Sequence, residues 1–90
     1  MNKTAITLTV FGKVQGVGFR YYTQKKAREL SISGFVRNMP DGSVYIEAEG
    51  TEASLHQFVS WCGDGPSWAR VVKVNKQDVP VCGFEEFIVR

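Results

Sequence analysis

Ile6, Leu8 and Val10 alternate with Thr7 and Thr9, a period of two that predicts a strand over Ala5–Phe11. After a glycine-containing stretch the period changes. Phe19, Thr23, Ala27 and Leu30 recur at helical spacing, with Lys25, Lys26 and Glu29 on the other side, and Ser33-Gly34 is read as the helix end, glycine suiting a left-handed cap. Phe35–Asn38 reads as a second strand. Met39-Pro40-Asp41-Gly42 reads as a turn, in which proline presets the first central position and keeps Met39 extended. Ser43–Glu49 returns as a strand with Val44, Ile46 and Ala48 inward and Tyr45, Glu47 and Glu49 outward, so the pair forms a hairpin with Asn38 near its tip.

Thr51 is the expected N-cap of a second helix, with Glu52 matching the dipole and Leu55, Phe58, Val59 and Cys62 forming its core face. Gly63-Asp64-Gly65-Pro66 breaks it. Ala69–Gln77, rich in valine, is a strand; Asp78–Gly83 turns; Phe84–Arg90 is a last strand with Phe87 and Val89 as its apolar positions. Two short helices cannot cover both faces of five strands. The expected fold is α+β: a ferredoxin-like βαββαβ sandwich with an additional C-terminal strand, two helices on one face of an antiparallel sheet, and the other, polar face in water.

Composition narrows this only slightly. Ninety residues suffice for one domain, spanning 1–90, with a single core. The net charge is +2, but the first 28 residues hold six basic side chains (Lys3, Lys13, Arg20, Lys25, Lys26, Arg28) and no acid. Lys25, Lys26 and Arg28 fit a solvated helix face. The asymmetry also makes a local field that attracts a small anion, whereas a nucleic-acid-binding domain would be more basic overall. No stretch reads as a signal peptide or a membrane span, so a cytoplasmic chain is expected. Cys62 and Cys82 form no C-x-x-C pair and, with the lone His56, make a poor metal set; both are expected as buried free thiols, and His56 as a surface residue.

The chemistry concentrates in Gly12-Lys13-Val14-Gln15-Gly16-Val17-Gly18-Phe19-Arg20. Three glycines let the backbone turn and approach a ligand. No Ser, Thr, Asp or Asn between Gly12 and Tyr22 can cap the helix that follows, and an arginine stands in its first turn, where the dipole disfavours it. An anion taking the free N–H groups and pairing with Arg20 would resolve both. The spacing is neither G-x-G-x-x-G nor a P-loop, and as a glycine turn alone the segment fits a structural bend equally well. The guanidinium, suited to bidentate grip on phosphate, favours the anion. No nucleophilic Ser, Cys or His lies in the loop, so a phosphatase here would use water. Asn38 could position that water, though on the residues alone a turn cap is the better reading.

Gly12–Arg20 resembles the first signature of the acylphosphatase family, G-x-V-Q-G-V-x-F-R, and Gly34-Phe35-Val36-Arg37-Asn38 with Gly42, Val44 and Gly50 is similar to the second. The resemblance runs over essentially all 90 residues. It implies hydrolysis of the carboxyl–phosphate bond of small acyl phosphates such as acetyl phosphate, carbamoyl phosphate and 1,3-bisphosphoglycerate, without a metal or other cofactor. By matching position Arg20 would bind the phosphoryl group, Asn38 would hold the attacking water, and the N–H groups of Gln15, Gly16, Val17, Gly18, Phe19 and Arg20 would form the cradle. The Gln15 side chain could instead brace the loop. Val14, Val17 and Phe19 are expected to pack it onto the core. Expected partners are the acyl phosphate and inorganic phosphate, with no nucleic acid, no membrane and a monomeric chain. Two rivals remain: an RNA-binding module on the open sheet face, whose aromatic signature is absent, and a non-catalytic anion-binding domain that keeps the loop.

Overall fold

The computed structural model describes residues 2–90. The elements run β1 (Thr4–Lys13), α1 (Phe19–Glu29), β2 (Ser33–Asn38), β3 (Val44–Gly50), α2 (Glu52–Asp64), β4 (Arg70–Val79) and β5 (Phe87–Val89). They build a five-stranded sheet in the order β4-β1-β3-β2-β5 with both helices on one face.

Alternation decides which side chains meet the helices. Ile6, Leu8 and Val10 of β1 lie opposite Ala48, Ile46 and Val44 of β3, and all six are buried. Gly34, Val36 and Asn38 of β2 continue the same face beside them. Phe19 and Ala27 from α1, and Leu55, Phe58 and Cys62 from α2, close over this layer. Thr51 caps α2, its hydroxyl accepting from Ser54 N at 3.2 Å. On β4, which forms one rim, the positions facing the helices include Val74, Lys76 and Asp78, opposite Val10, Leu8 and Ile6.

Five expectations are corrected. Ser33-Gly34 does not end α1. The helix stops at Glu29, Ile32 N reaches back to Ala27 O at 2.8 Å, and the left-handed residue is Ser31 with φ 58°. Gly34 belongs to β2, at φ +142°, where an added Cβ would fall 1.9 Å from Glu47 O; this glycine permits close approach of two strands rather than a helix stop.

The sheet is mixed rather than antiparallel, because β5 pairs parallel with β2. β4 ends beside the start of β1, Val79 opposite Ala5, and the chain then crosses to the far rim without retracing the sheet's length. It therefore enters β5 from the end at which β2 begins.

The last strand covers Phe87–Val89, not Phe84–Arg90. The amides of Cys82, Gly83 and Phe84 are turned toward the Glu49 carboxylate, with Gly83 N and Phe84 N at 3.1 and 3.0 Å from its Oε1. That segment also keeps the outer sheet face from being uniformly wet. Glu49 is 1% exposed and Phe35 5%, the latter under Phe84 and the Arg90 guanidinium, which sits 4.0 Å from its ring centre. Three main-chain donors make burial of a carboxylate tolerable.

Finally, Cys82 is exposed while Cys62 is buried; both are free, and burial pushes the Cys62 thiol up. A thiol reagent is expected to modify one cysteine per native chain, Cys82, and the second only after denaturation, as counted by mass spectrometry.

Candidate active site

Main-chain shape comes first in building this site. Gly16 and Gly18 both sit at positive φ, 75° and 78°, and no atom would lie within 4 Å of a Cβ at Gly16. Gly18 is the N-cap of α1. It has no side chain to cap the helix, and the first turn carries no acid. Among the described residues, the N–H groups of Gln15, Gly16, Val17 and Gly18 donate to no protein acceptor. Val14 and Phe19 are buried and Val17 packs half-buried on the core, so the apolar side chains of the loop point inward while its polar backbone faces out. The left-handed turns followed by a helix N-terminus make a concavity of donors that suits an oxyanion.

Arg20 lies in the first turn of α1, and its Nη1 donates to the main-chain oxygen of Arg90 at 3.1 Å. A guanidinium has five N–H donors, so one bond steadies it and leaves a fork for a ligand. Asn38 ends β2 on the helix-facing side of the sheet, opposite Val44. Its Oδ1 is buried and has no hydrogen-bond partner. No hydrogen bond through Oδ1 caps the turn. The turn is held instead by Asp41, which accepts from Ser43 N at 2.9 Å and from the Ser43 hydroxyl; the hydroxyl first and the N–H second hold the Asp41 carboxyl below its usual value.

Gly16, Gly18, Phe19, Arg20 and Asn38 line one cleft of about 340 Å³, together with Val14, Tyr21 and Val89. Gln15 and Val17 do not line it. The Gln15 side chain turns toward the hairpin tip, its Nε2 donating to Met39 O at 2.8 Å and Ser43 O at 2.9 Å. The loop and the hairpin, far apart in sequence, thus meet through Arg20, Asn38 and Gln15. A wider cleft of about 1240 Å³ lies between α2 and the end of β4, lined by Ile6, Leu55, Val59 and Val79 with Lys3, Glu52, Lys76 and Asp78 around them. It contains no part of the glycine loop. Among the described residues no three His, Cys, Asp or Glu side chains come together as a metal site.

Three contributors escaped the sequence reading: Tyr21, an aromatic of α1 with no chemistry assigned to it, the Arg90 main-chain oxygen and Val89. The Arg90 main-chain oxygen left no signal, because any residue supplies one. Val89 was legible only as an apolar position of a last strand whose docking was unknown.

Comparison with known proteins points to one family. The acylphosphatase family model matches residues 6–89. The chain is 47% identical over 85 residues to an acylphosphatase of Archaeoglobus fulgidus, an alignment spanning 94% of this chain and 96% of that protein. Its fold is similar to the structure of an acylphosphatase from Coxiella burnetii, with TM-score 0.96 and 42% identity over 99% of this chain and 94% of that one. It is also similar to the acylphosphatase from Bacillus subtilis, with TM-score 0.94 and 34% identity over 97% and 98%.

Proposed function

From the premise that this chain belongs to the acylphosphatase family and is an acylphosphatase, we propose that Arg20 and the loop amides hold the phosphoryl group while Asn38 aims the water that cleaves it. The observation that carries this reading is the meeting, in one cleft, of Arg20 and Asn38, whose buried Oδ1 has no protein partner.

The substrate is a mixed anhydride, R–CO–O–PO₃²⁻. Its phosphoryl oxygens take the N–H groups of Gln15 to Arg20 and the free edge of the guanidinium. A water donates one hydrogen to Asn38 Oδ1, which turns a lone pair toward phosphorus opposite the P–O bond to the acyl group. As that bond breaks, the electron pair leaves on a carboxylate. Its conjugate acid has a pKa of about 4, so the departing oxygen needs no acid. The products are the carboxylate and inorganic phosphate, and the proton lost from water can go to either. In a loose transition state charge sits on the equatorial oxygens, where the preorganised donors already are. No carboxylate lines the cleft to repel the anion.

No metal is called for in this reading, since main-chain donors and one guanidinium supply the positive field. Benzoyl phosphate hydrolysis is expected to proceed at the same rate in EDTA as without it. Loss of activity in chelator that Mg²⁺ restores would sink the metal-free mechanism.

We read residues 1–90 as one domain acting as a monomer in the cytoplasm. The shared sheet, the continuous core and the two free thiols support that reading. No helix among the described residues is long and apolar enough to cross a membrane.

A further inference from the structure

Gln15 enters the mechanism above only through its main-chain N–H, yet its side chain makes the most specific connection in the site. Nε2 donates to Met39 O and to Ser43 O, partners 24 and 28 positions away. Both carbonyls already close the hairpin turn: Met39 O accepts from Gly42 N at 3.1 Å, and Ser43 O accepts from Met39 N at 2.9 Å. Carbonyls only accept, so the amide nitrogen must face them, and both of its hydrogens are committed. Among the described residues, and outside the strand ladder that pairs Val10 with Val44, these are the only hydrogen bonds joining the loop to the hairpin. One end of the link is the first residue of the cradle. The other is the residue immediately after Asn38.

We propose that Gln15 is a positioning residue: its amide sets the distance between the phosphoryl cradle and Asn38, and so fixes the line along which water attacks. The inference rests on the roles given above to the cradle and to Asn38. Pro40, Asp41 and Gly42 at the hairpin tip are exposed, and the Asp41–Ser43 bonds act only within the turn. The ladder that pairs Asn38 with Val44, and Val44 with Val10, anchors the base of the hairpin, but the exposed tip is linked to the loop itself through the Gln15 amide. Phosphate gripped by Arg20 and the amides stays bound if the tip drifts, because none of those donors belongs to the hairpin. The attack geometry does not survive the same drift. Reacting atoms must come within about 3–3.5 Å and in line, and a misplacement of about 1 Å can cost about 10²-fold in rate. Gln15 therefore bears on kcat while leaving affinity for the phosphoryl group nearly untouched. A brace that merely held the loop's shape would do the reverse, spoiling phosphate binding first.

The test is a double-mutant cycle between Gln15 and Asn38, read on the full chain. Gln15→Met keeps the length and loses both donors; Gln15→Glu keeps the shape but turns an oxygen toward two carbonyls. Each is made alone and with Asn38→Ala, and kcat for benzoyl phosphate, Ki for inorganic phosphate and the melting temperature are measured. Gln15→Met is expected to lower kcat by about 10- to 100-fold with Ki changed less than about threefold, and Gln15→Glu to lower kcat further. In the Asn38→Ala background Gln15→Met should cost less than about threefold, because residues acting through one another are not additive. A full, additive loss in the double variant, beside a damaged Asn38→Ala single, would overturn the clamp and leave the role of Asn38 standing. An Asn38→Ala enzyme with unchanged kcat would overturn both. A Ki that rises as far as kcat falls would reduce Gln15 to a loop brace. Should Gln15→Met fail to unfold cooperatively, Gln15→Asn replaces it, a shorter amide expected to give the same split between kcat and Ki.

Discussion

Arg20→Ala is expected to lose about 10³–10⁵ in kcat/KM for acyl phosphates, the range measured when an arginine that neutralises a transferring phosphoryl group is removed. Inorganic phosphate binding should fall with it, since the same fork holds product and substrate. Arg20→Lys should recover little. An ammonium is a point charge that cannot bond the Arg90 oxygen and a phosphoryl edge at once from a rigid plane. Stability should move the opposite way from activity. A cation in the first turn of α1, with no acid beside it, opposes the helix dipole. Removing it should leave the melting temperature unchanged or slightly raised, the exposed bond to Arg90 contributing little. Steady-state kinetics, phosphate inhibition and thermal unfolding on the two variants check all three statements. An Arg20→Ala enzyme that kept its turnover would remove the guanidinium from the mechanism.

Asn38→Ala is expected to show the complementary pattern, with kcat down by about 10²–10³, the usual cost of one well-placed polar group, and Ki for phosphate nearly unchanged. The residue carries no turn-capping bond through Oδ1, and truncation removes a buried acceptor that has no protein partner. The fold should therefore tolerate the change or gain from it. A result in which the melting temperature dropped and kcat held would return Asn38 to the structural role that its place in a turn first suggested. Asn38→Asp is the sharper companion: it keeps the acceptor but brings a negative charge into a cleft built for an anion, and should bind phosphate more weakly than Asn38→Ala does.

The sheet-and-helix pattern was legible because periodicity reports burial directly. Ile6, Leu8 and Val10 had to share a face, and so did Leu55, Phe58 and Cys62. Glycine was ambiguous because it answers two needs. At Gly18 it takes a left-handed turn, as read; at Gly34 it admits a neighbouring strand, and composition cannot distinguish the two. The alternation of Tyr45, Glu47 and Glu49 was correctly outward. Outward did not mean wet, because a segment more than 30 positions later lays its amides on Glu49. Sequence patterns carry no record of such long-range cover, nor of the direction in which a last strand enters a sheet. The candidate site divided in the same way. The uncapped helix start and the misplaced arginine could be argued from residues alone, whereas Asn38 stood out through its resemblance to a family motif. Its unpartnered oxygen is a property of the folded chain only.

The bond between Arg20 and Arg90 spans 70 positions. Between those residues the polypeptide must lay β4 along one rim of the sheet, cross its back and seat β5 on the opposite rim, where Arg90 N also bonds Val36 O. Closures between distant segments are the slow steps of folding. A nascent or frayed molecule could thus hold a well-formed glycine loop and still present a wandering guanidinium. If Arg20 holds the phosphoryl group as proposed, competence waits on the seating of β5, and loosening of Phe87–Arg90 costs function before it costs the fold.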